Sequence, residues 1–406
     1  MERLRIGLLS YEYPPETGFG GIGTYTWTQA RALARAGPEV HVLAGATTLG
    51  ATSCVREGEV TVWRDGGSRA AHRLGAILGS LGWWWSRNRL ANGLRMRRLL
   101  RRVASRQTLD LIEVPECGAE GLFLGRPWER RKVVRFHSPA ELIMPFYATR
   151  AGDRRLCARL ERRGYRHAAA ATACSGFLAR EVARRLGFAP QVVTVPNGID
   201  LDEADRAAPF DLRAAIGAAT NDSVVVFAGR FEPRKGSVLL CDLVPELLAR
   251  RPAHFVVLGE DLFGQGVGEL AERCRERERG GFLHLLGRRP VSEVRAAMRQ
   301  ADVVLLPSRW ENAPYTVLEA MVAGAPLVVS NVGGIPEMVA PQREALLAAD
   351  RDVAEHLAAV ERLLDDRGMA RGLGAAARAR VEREFAAERT AATALEIYRR
   401  IAEGAA

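Results

Sequence analysis

The chain has 406 residues, too many for one ordinary hydrophobic core, so two domains are expected. Hydrophobic residues make up 48% and charged residues 26%, which excludes a disordered or fibrous chain, and no apolar run is long enough to span a membrane. The formal charge of +10 is local: no acidic residue stands between Asp65 and Asp110, whereas arginines recur there from Arg69 to Arg106.

The N-terminus, MERLRIGLLSYEYPPE, reads as a first strand (4–10) rather than a signal peptide. A glycine-rich turn follows, PPETGFGGIGTYTWTQ, in which Gly20 and Gly21 open a helix (24–36). Free amides and the dipole at such a helix start favour an anion, although a strand–helix turn of this kind also serves purely structural ends. The second strand, EVHVLAG (39–45), has no acidic residue at its end to bind a ribose, which argues against a dehydrogenase. Next comes the arginine–tryptophan stretch, whose segment 83–106 reads as a helix. The ordinary reading is a solvated helix in an arginine-biased chain, and peripheral contact with an anionic membrane or an anionic acceptor is the alternative. Six scattered cysteines without a C-x-x-C pair suggest reduced, mostly buried thiols in the cytoplasm and no zinc.

Strands then alternate with helices: 109–114, 132–137 ending at His137, a helix over 152–168, a strand over 169–175, a helix over 175–187 and a strand over 191–196. Near-continuous apolar strands separated by helices indicate an α/β fold with parallel sheets covered on both faces. The Pro-, Gly- and Asp-rich segment 196–212 suits a boundary, after which the rhythm restarts with strands at 223–230, 254–260, 282–287, 301–308 and 325–330. Residues 353–402 read as helical, without a further strand. The expected fold is two doubly wound, Rossmann-like domains facing each other across a cleft: 1–197, 198–385, and a C-terminal helix within 386–406 packing back on the first. Ligands of such sheets bind beyond the carboxyl ends of the strands.

Two motifs of the second half fall there. Lys132 and Lys235 are the only lysines of the chain, and Lys235 stands beside Arg234 in GRFEPRKG (229–236). A compact ammonium bridges the oxygens of a diphosphate in a way a planar guanidinium does not, so Arg230 and Lys235 are candidates to hold one. In SRWENAPYTVLEAMVAGAPLVVSNVGGIPE (308–337) a helix is expected from about Pro314 to Gly324. Glu311 then precedes that helix and Glu319 lies in its second turn. The amides of Tyr315, Thr316 and Val317 are expected free for phosphate or sugar oxygens, and the two carboxylates suit hydroxyl donors. The D-x-D letters at 200–202 and 350–352 are better explained as helix caps than as metal ligands.

Taken together, the E-x7-E spacing, the GR-x4-KG loop, VPNGID, GGIPE and the N-terminal GG-x-G resemble the GT-B retaining glycosyltransferases of family four, in the family's order and over nearly the whole chain. The resemblance implies that Arg230 and Lys235 hold the donor diphosphate. It makes Glu319 the ribose ligand and Glu311 the ligand of the transferred sugar. It also brings Gly20 and Gly21 to the donor phosphate and places His137, otherwise a packed strand-end histidine, near donor sugar and acceptor. The implied activity is retaining transfer of a hexosyl group from a nucleoside diphosphate sugar to an acceptor hydroxyl, with no cofactor and no metal. Acceptors left open are a sugar, a lipid-linked molecule or a natural-product aglycone; nucleic acid is not expected. Many members place Gly two residues after the first Glu, whereas this chain has Ala313 and Pro314, which removes one backbone donor. The competing readings are a sugar-nucleotide epimerase or phosphorylase on the same architecture, and a basic protein binding membrane or nucleic acid.

Overall fold

The computed structural model of the chain describes all residues except 1–2, 19, 69–78, 81, 189–190, 207, 262–263, 265 and 405–406. Arg69 and Arg73 of the arginine-rich stretch lie outside the described residues. The chain forms two compact units, the first comprising residues up to Gly198 together with those from Ala387 on, the second Ile199–Ala386.

Unit 1 is built on eight strands: β1 (Arg5–Ser10), β2 (Glu39–Gly45), β3 (Thr52–Glu57), β4 (Val60–Asp65), β5 (Leu111–Pro115), β6 (Lys132–Phe136), β7 (Ala170–Ala173) and β8 (Val192–Thr194). Their order is β3-β4-β2-β1-β5-β6-β7-β8, and every pairing is parallel except β3 with β4. That antiparallel edge hairpin departs from the all-parallel expectation. Glu57-Gly58-Glu59 provides its turn, but β3 exposes almost every residue, so no apolar alternation marks it in the sequence. The helices that position functional groups are α1 (Gly21–Arg35), α2 (Trp84–Ala104) and α3 (Ala151–Tyr165). The core joins Ile6, Leu33, Val40 and Leu111 to Ala394, Leu395 and Tyr398 of the C-terminal helix Ala387–Ala402, so the last helix completes the first unit.

Unit 2 carries β9 (Ser223–Ala228), β10 (Ala253–Leu258), β11 (Leu283–Gly287), β12 (Val303–Leu306), β13 (Leu327–Ser330) and β14 (Leu346–Ala348), in the order β11-β10-β9-β12-β13-β14. All its pairings are parallel. The three-residue β14 is too short to show a period and goes unread in the sequence. Val225, Phe227, Val257, Leu305 and Val328 form the buried sheet layer of this core, covered by α4 (Ser237–Arg250) and the helix Val353–Asp365. A further helix, α5 (Tyr315–Val322), follows β12.

In each sheet one strand has neighbours that run on in opposite directions of sequence: β1 lies between β2 and β5, and β9 between β10 and β12. Loops leaving the carboxyl ends at such a switch point diverge and open a crevice. All six cysteines are free, and only Cys54 is fully exposed. Among the described residues no helix is long and apolar enough to cross a membrane.

Candidate functional site

The switch point of unit 2 brings the two sequence motifs together, since the loop after β9 is 229–236 and the loop after β12 is 307–314. Pro233–Lys235 form one 3-10 turn that ends at Gly236, whose φ is +89°. A Cβ at Gly236 would lie 2.0 Å from the Pro307 carbonyl oxygen, so only glycine lets the two loops touch. The Arg309 amide then donates to the Arg234 carbonyl at 2.8 Å.

This stitching explains the lysine beside an arginine. Lys235 Nζ stands 2.5 Å from Glu311 Oε1, and Arg234 donates to Glu311 Oε2 at 3.2 Å, so each cation takes one carboxylate oxygen. The Ser308 hydroxyl donates to Oε1 as well, at 3.0 Å. Arg234 reaches back to Glu232 at 2.9 Å, and Arg230, half in solvent, sits 3.3 Å from the same carboxylate oxygen. Arg234 and Glu232 were not singled out from the sequence. Their only signal is adjacency to Lys235 and Arg230, and neighbouring residues face one another's ligands only because the turn is so tight.

Three cations thus surround two carboxylates. Burial would raise the Glu311 pKa, but Lys235 and Arg234 outweigh it and hold the carboxyl below its ordinary value. Burial lowers the Lys235 pKa, and Arg234 and Arg230 add to that against the pull of Glu311. The cations outweigh the burial of Glu311, so a further anion at the cluster would meet a favourable field.

Helix α5 begins as expected, with Pro314 extended at its N-cap and Gly324 at positive φ past its end. One expectation needs correction. The Val317 amide is not free, because it donates to the Pro314 carbonyl at 3.1 Å, closing the first turn in 3-10 fashion. Glu319, in the second turn, is buried; burial pushes its pKa up to about 7, Arg295 opposes this and Glu203 adds to it. Lys235 also acts on Glu319 electrostatically, which places both sequence carboxylates in the field of the same lysine. The GGIPE turn closes over the backbone of Glu311. Gly333 has a φ of +60°, a Cβ there would meet the Glu311 carbonyl at 1.9 Å, and the Gly334 amide donates to that carbonyl at 2.9 Å.

The remaining candidates lie in unit 1, around the ends of β1, β5 and β6. Gly20 is the extended N-cap of α1 and Gly21 its first residue; no acidic side chain lies in that first turn. Instead Glu12, from the loop after β1, sends a carboxylate to the Gly23 amide at 3.3 Å. His137 follows β6, is buried, and meets Tyr25 of α1 edge-on with ring centres 4.7 Å apart. Burial and Arg135 keep its imidazole well below the usual pKa, so it stands neutral. The Glu116 carboxylate accepts from the amides of His137 (2.8 Å) and Ser138 (2.5 Å), and Glu120 accepts from the Tyr11 amide at 2.9 Å. These carboxylates, together with Glu12, carry no sequence motif, because their partners are backbone amides far along the chain.

The D-x-D letters are spent on caps: Asp200 accepts from the Glu203 amide, and Asp352 from the Glu355 amide. Among the described residues no group of three or more His, Cys, Asp or Glu is arranged to hold a metal ion.

Comparison with known proteins points to one family and fold. Residues 210–380 match the family "Glycosyl transferases group 1", and residues 19–203 match "Glycosyltransferase Family 4". The 2-deoxystreptamine glucosyltransferase of Streptomyces kanamyceticus is 30% identical over 312 residues, 74% of this chain and 80% of that protein. D-inositol 3-phosphate glycosyltransferase 2 of Catenulispora acidiphila is 34% identical over 198 residues, and that match spans under half of either chain, 46% of each. Among solved structures, sucrose-phosphate synthase of Thermosynechococcus elongatus superposes with a TM-score of 0.78 at 21% identity, over 99% of this chain and 100% of that one. Neither the epimerase or phosphorylase reading nor the binding-protein reading finds support in these matches.

Proposed function

The chain belongs to the group 1 glycosyl transferases, as a glycosyltransferase of the GT-B class, and on that premise we propose its reaction: transfer of a hexosyl group from a nucleoside diphosphate sugar to an acceptor hydroxyl, with retention of anomeric configuration and no metal. The observation that carries this is the cation excess around Glu311. The ion pairs of Arg230, Arg234 and Lys235 among the described residues run to Glu232 and Glu311, at the strand ends where a doubly wound sheet binds its ligand. The donor diphosphate takes Lys235 and Arg230 as its partners, and the Glu311 carboxylate that Lys235 leaves then accepts hydroxyls of the transferred sugar. Glu319 accepts the ribose hydroxyls. As the bond from the anomeric carbon to the diphosphate breaks, the cations and the start of α5 neutralise the charge on the leaving group. The acceptor oxygen bonds to the same face, and its proton passes to the departing phosphate. Acceptor binding falls to unit 1, with His137, Gly20 and Gly21 in the roles the family resemblance gives them, and the enzyme acts in the cytoplasm.

A thermal-shift panel of nucleoside diphosphates and their sugars tests the donor site. A matched ligand at a hundredfold excess over its Kd adds roughly 2.7 kcal/mol of stability, and a melting curve indifferent to the whole panel would overturn the assignment. Nuclear magnetic resonance of the product anomer tests retention. Turnover that survives a chelator is expected, and its loss would restore a metal to the mechanism.

A further inference from the structure

Unit 1 contains a cavity of about 730 Å³, a size typical of small-molecule sites, between α2, the loop after β1 and the segment 143–147. Its lining is unusual in two ways. Among the described residues seven large hydrophobic side chains are exposed, and three of them, Leu49, Trp84 (52%) and Leu94 (44%), line this one cavity beside Trp85 and Tyr147. Four arginines line it too, and they divide into pairs. Arg89 is buried against Glu161 at 2.7 Å and Arg98 is paired with Asp65, so the fold itself uses both. Arg87 and Arg95 have no carboxylate within ion-pair distance among the described residues. Arg95 lies 4.7 Å over the Tyr11 ring and donates to Asn92 at 2.9 Å, which holds it extended at the cavity wall, while Asp65 and Glu120 act on it only at longer range. Among the described residues Glu12 is the one carboxylate that lines the cavity, and it accepts from the Gly23 amide.

An apolar, aromatic wall next to two guanidinium groups without a carboxylate partner among the described residues recognises a molecule that is apolar on one side and an oxyanion on the other. A neutral polyol would leave both arginines without a counter-charge, and a small inorganic anion would leave the tryptophan and leucine surfaces wet. We propose that this cavity is the acceptor site and that its acceptor is an anionic amphiphile, with the apolar part against Trp84 and Leu94 and the anion between Arg87 and Arg95. The acceptor role rests on the transferase function proposed above; the chemistry of the cavity does not.

Titration calorimetry on the full chain with three glycerol derivatives tests it, all below their critical micelle concentrations. Dihexanoyl phosphatidic acid carries both features, dihexanoylglycerol only the apolar one, and glycerol 3-phosphate only the anion. The phosphatidic acid is expected to bind at least tenfold tighter than either of the others. Arg87→Gln and Trp84→Ala should each weaken it by roughly tenfold, with unchanged melting temperature and unchanged binding of the nucleoside diphosphate. Equal affinity for dihexanoylglycerol and its phosphate, or indifference to both substitutions, overturns the proposal. Binding only to vesicles containing phosphatidic acid, and not to the monomer, overturns it as well and assigns α2 to a membrane surface. Nucleotide binding without phosphatidate binding removes this proposal and leaves the donor site standing. Phosphatidate binding without nucleotide binding keeps the cavity's chemistry and removes the transferase reading from unit 2.

Discussion

The strand ends of the two units are built alike and use their ionisable groups differently. In unit 1 the loop after β5 and helix α3 hold buried carboxyl groups, and each is tied to the fold: Glu116 to the amides of His137 and Ser138, Glu120 to Tyr11, and Glu161 of α3 to Arg89 and the Ala140 amide. Glu113, on β5, accepts from the hydroxyls of Tyr25 and Tyr398. In unit 2 the corresponding loops hold cations, and among the described residues these outnumber the carboxylates they pair with. A carboxylate saturated by backbone amides shapes a loop and has little left for a ligand, whereas a cation in excess is a standing demand for an anion. The same sheet topology therefore supplies a braced loop region in one unit and an anion site in the other.

The sharpest way to break this contrast is Lys235→Ala. Loss of one preorganised contact to the leaving group should lower turnover about a hundredfold or more while the protein stays folded; near-normal turnover would refute the anion site. The counterpart in unit 1 is Glu116→Ala. It leaves two buried amides without an acceptor and should cost about 1–3 kcal/mol for each, read as a lower denaturation midpoint, while nucleotide affinity in unit 2 stays the same. A loss of nucleotide affinity there would show that the bracing of unit 1 also serves the donor.

Proton linkage gives a gentler test. Burial raises the pKa of Glu116 and of Glu120 to about 8, against an ordinary value of 4.5. Between those values the folded chain keeps protons that the unfolded chain releases, so stability should fall as pH rises from about 5 to about 8. The double variant Glu116→Gln, Glu120→Gln should flatten that slope, and an unchanged slope would sever the link. The smallest effect expected is at Glu319, whose pKa lies at about 7 because it is buried. An ionised carboxylate accepts hydroxyl hydrogen bonds more strongly than a neutral one, so donor affinity should rise several-fold through pH 7. Glu319→Gln should remove the part of that rise due to this group, and identical pH profiles in both proteins would take the ribose role away from it.

Much of the frame is legible from local pattern. The strand 39–45 is found at those residues, and the helix expected from about Pro314 begins at Tyr315. Asp200 and Asp352 cap helices as their positions suggest. The hairpin of β3 and β4 is not legible, because an exposed edge strand has no face to bury and so leaves no alternation. The free amide expected at Val317 fails for a related reason, since a first turn closes on its own carbonyl according to geometry that residue types alone leave open.

By itself the sequence determined the alternation of strands and helices and the motifs at the strand ends, because these follow from side-chain period, caps and glycines among near neighbours. Only the tertiary structure decided which charges are spent. Lys235 and Glu311 stand 76 residues apart, as do Arg89 and Glu161 at 72, and the balance of desolvation and pairing exists only once folding has brought such groups together. The same holds at the cavity wall along α2, where Arg89 and Arg98 meet carboxylates and Arg87 and Arg95 meet none among the described residues.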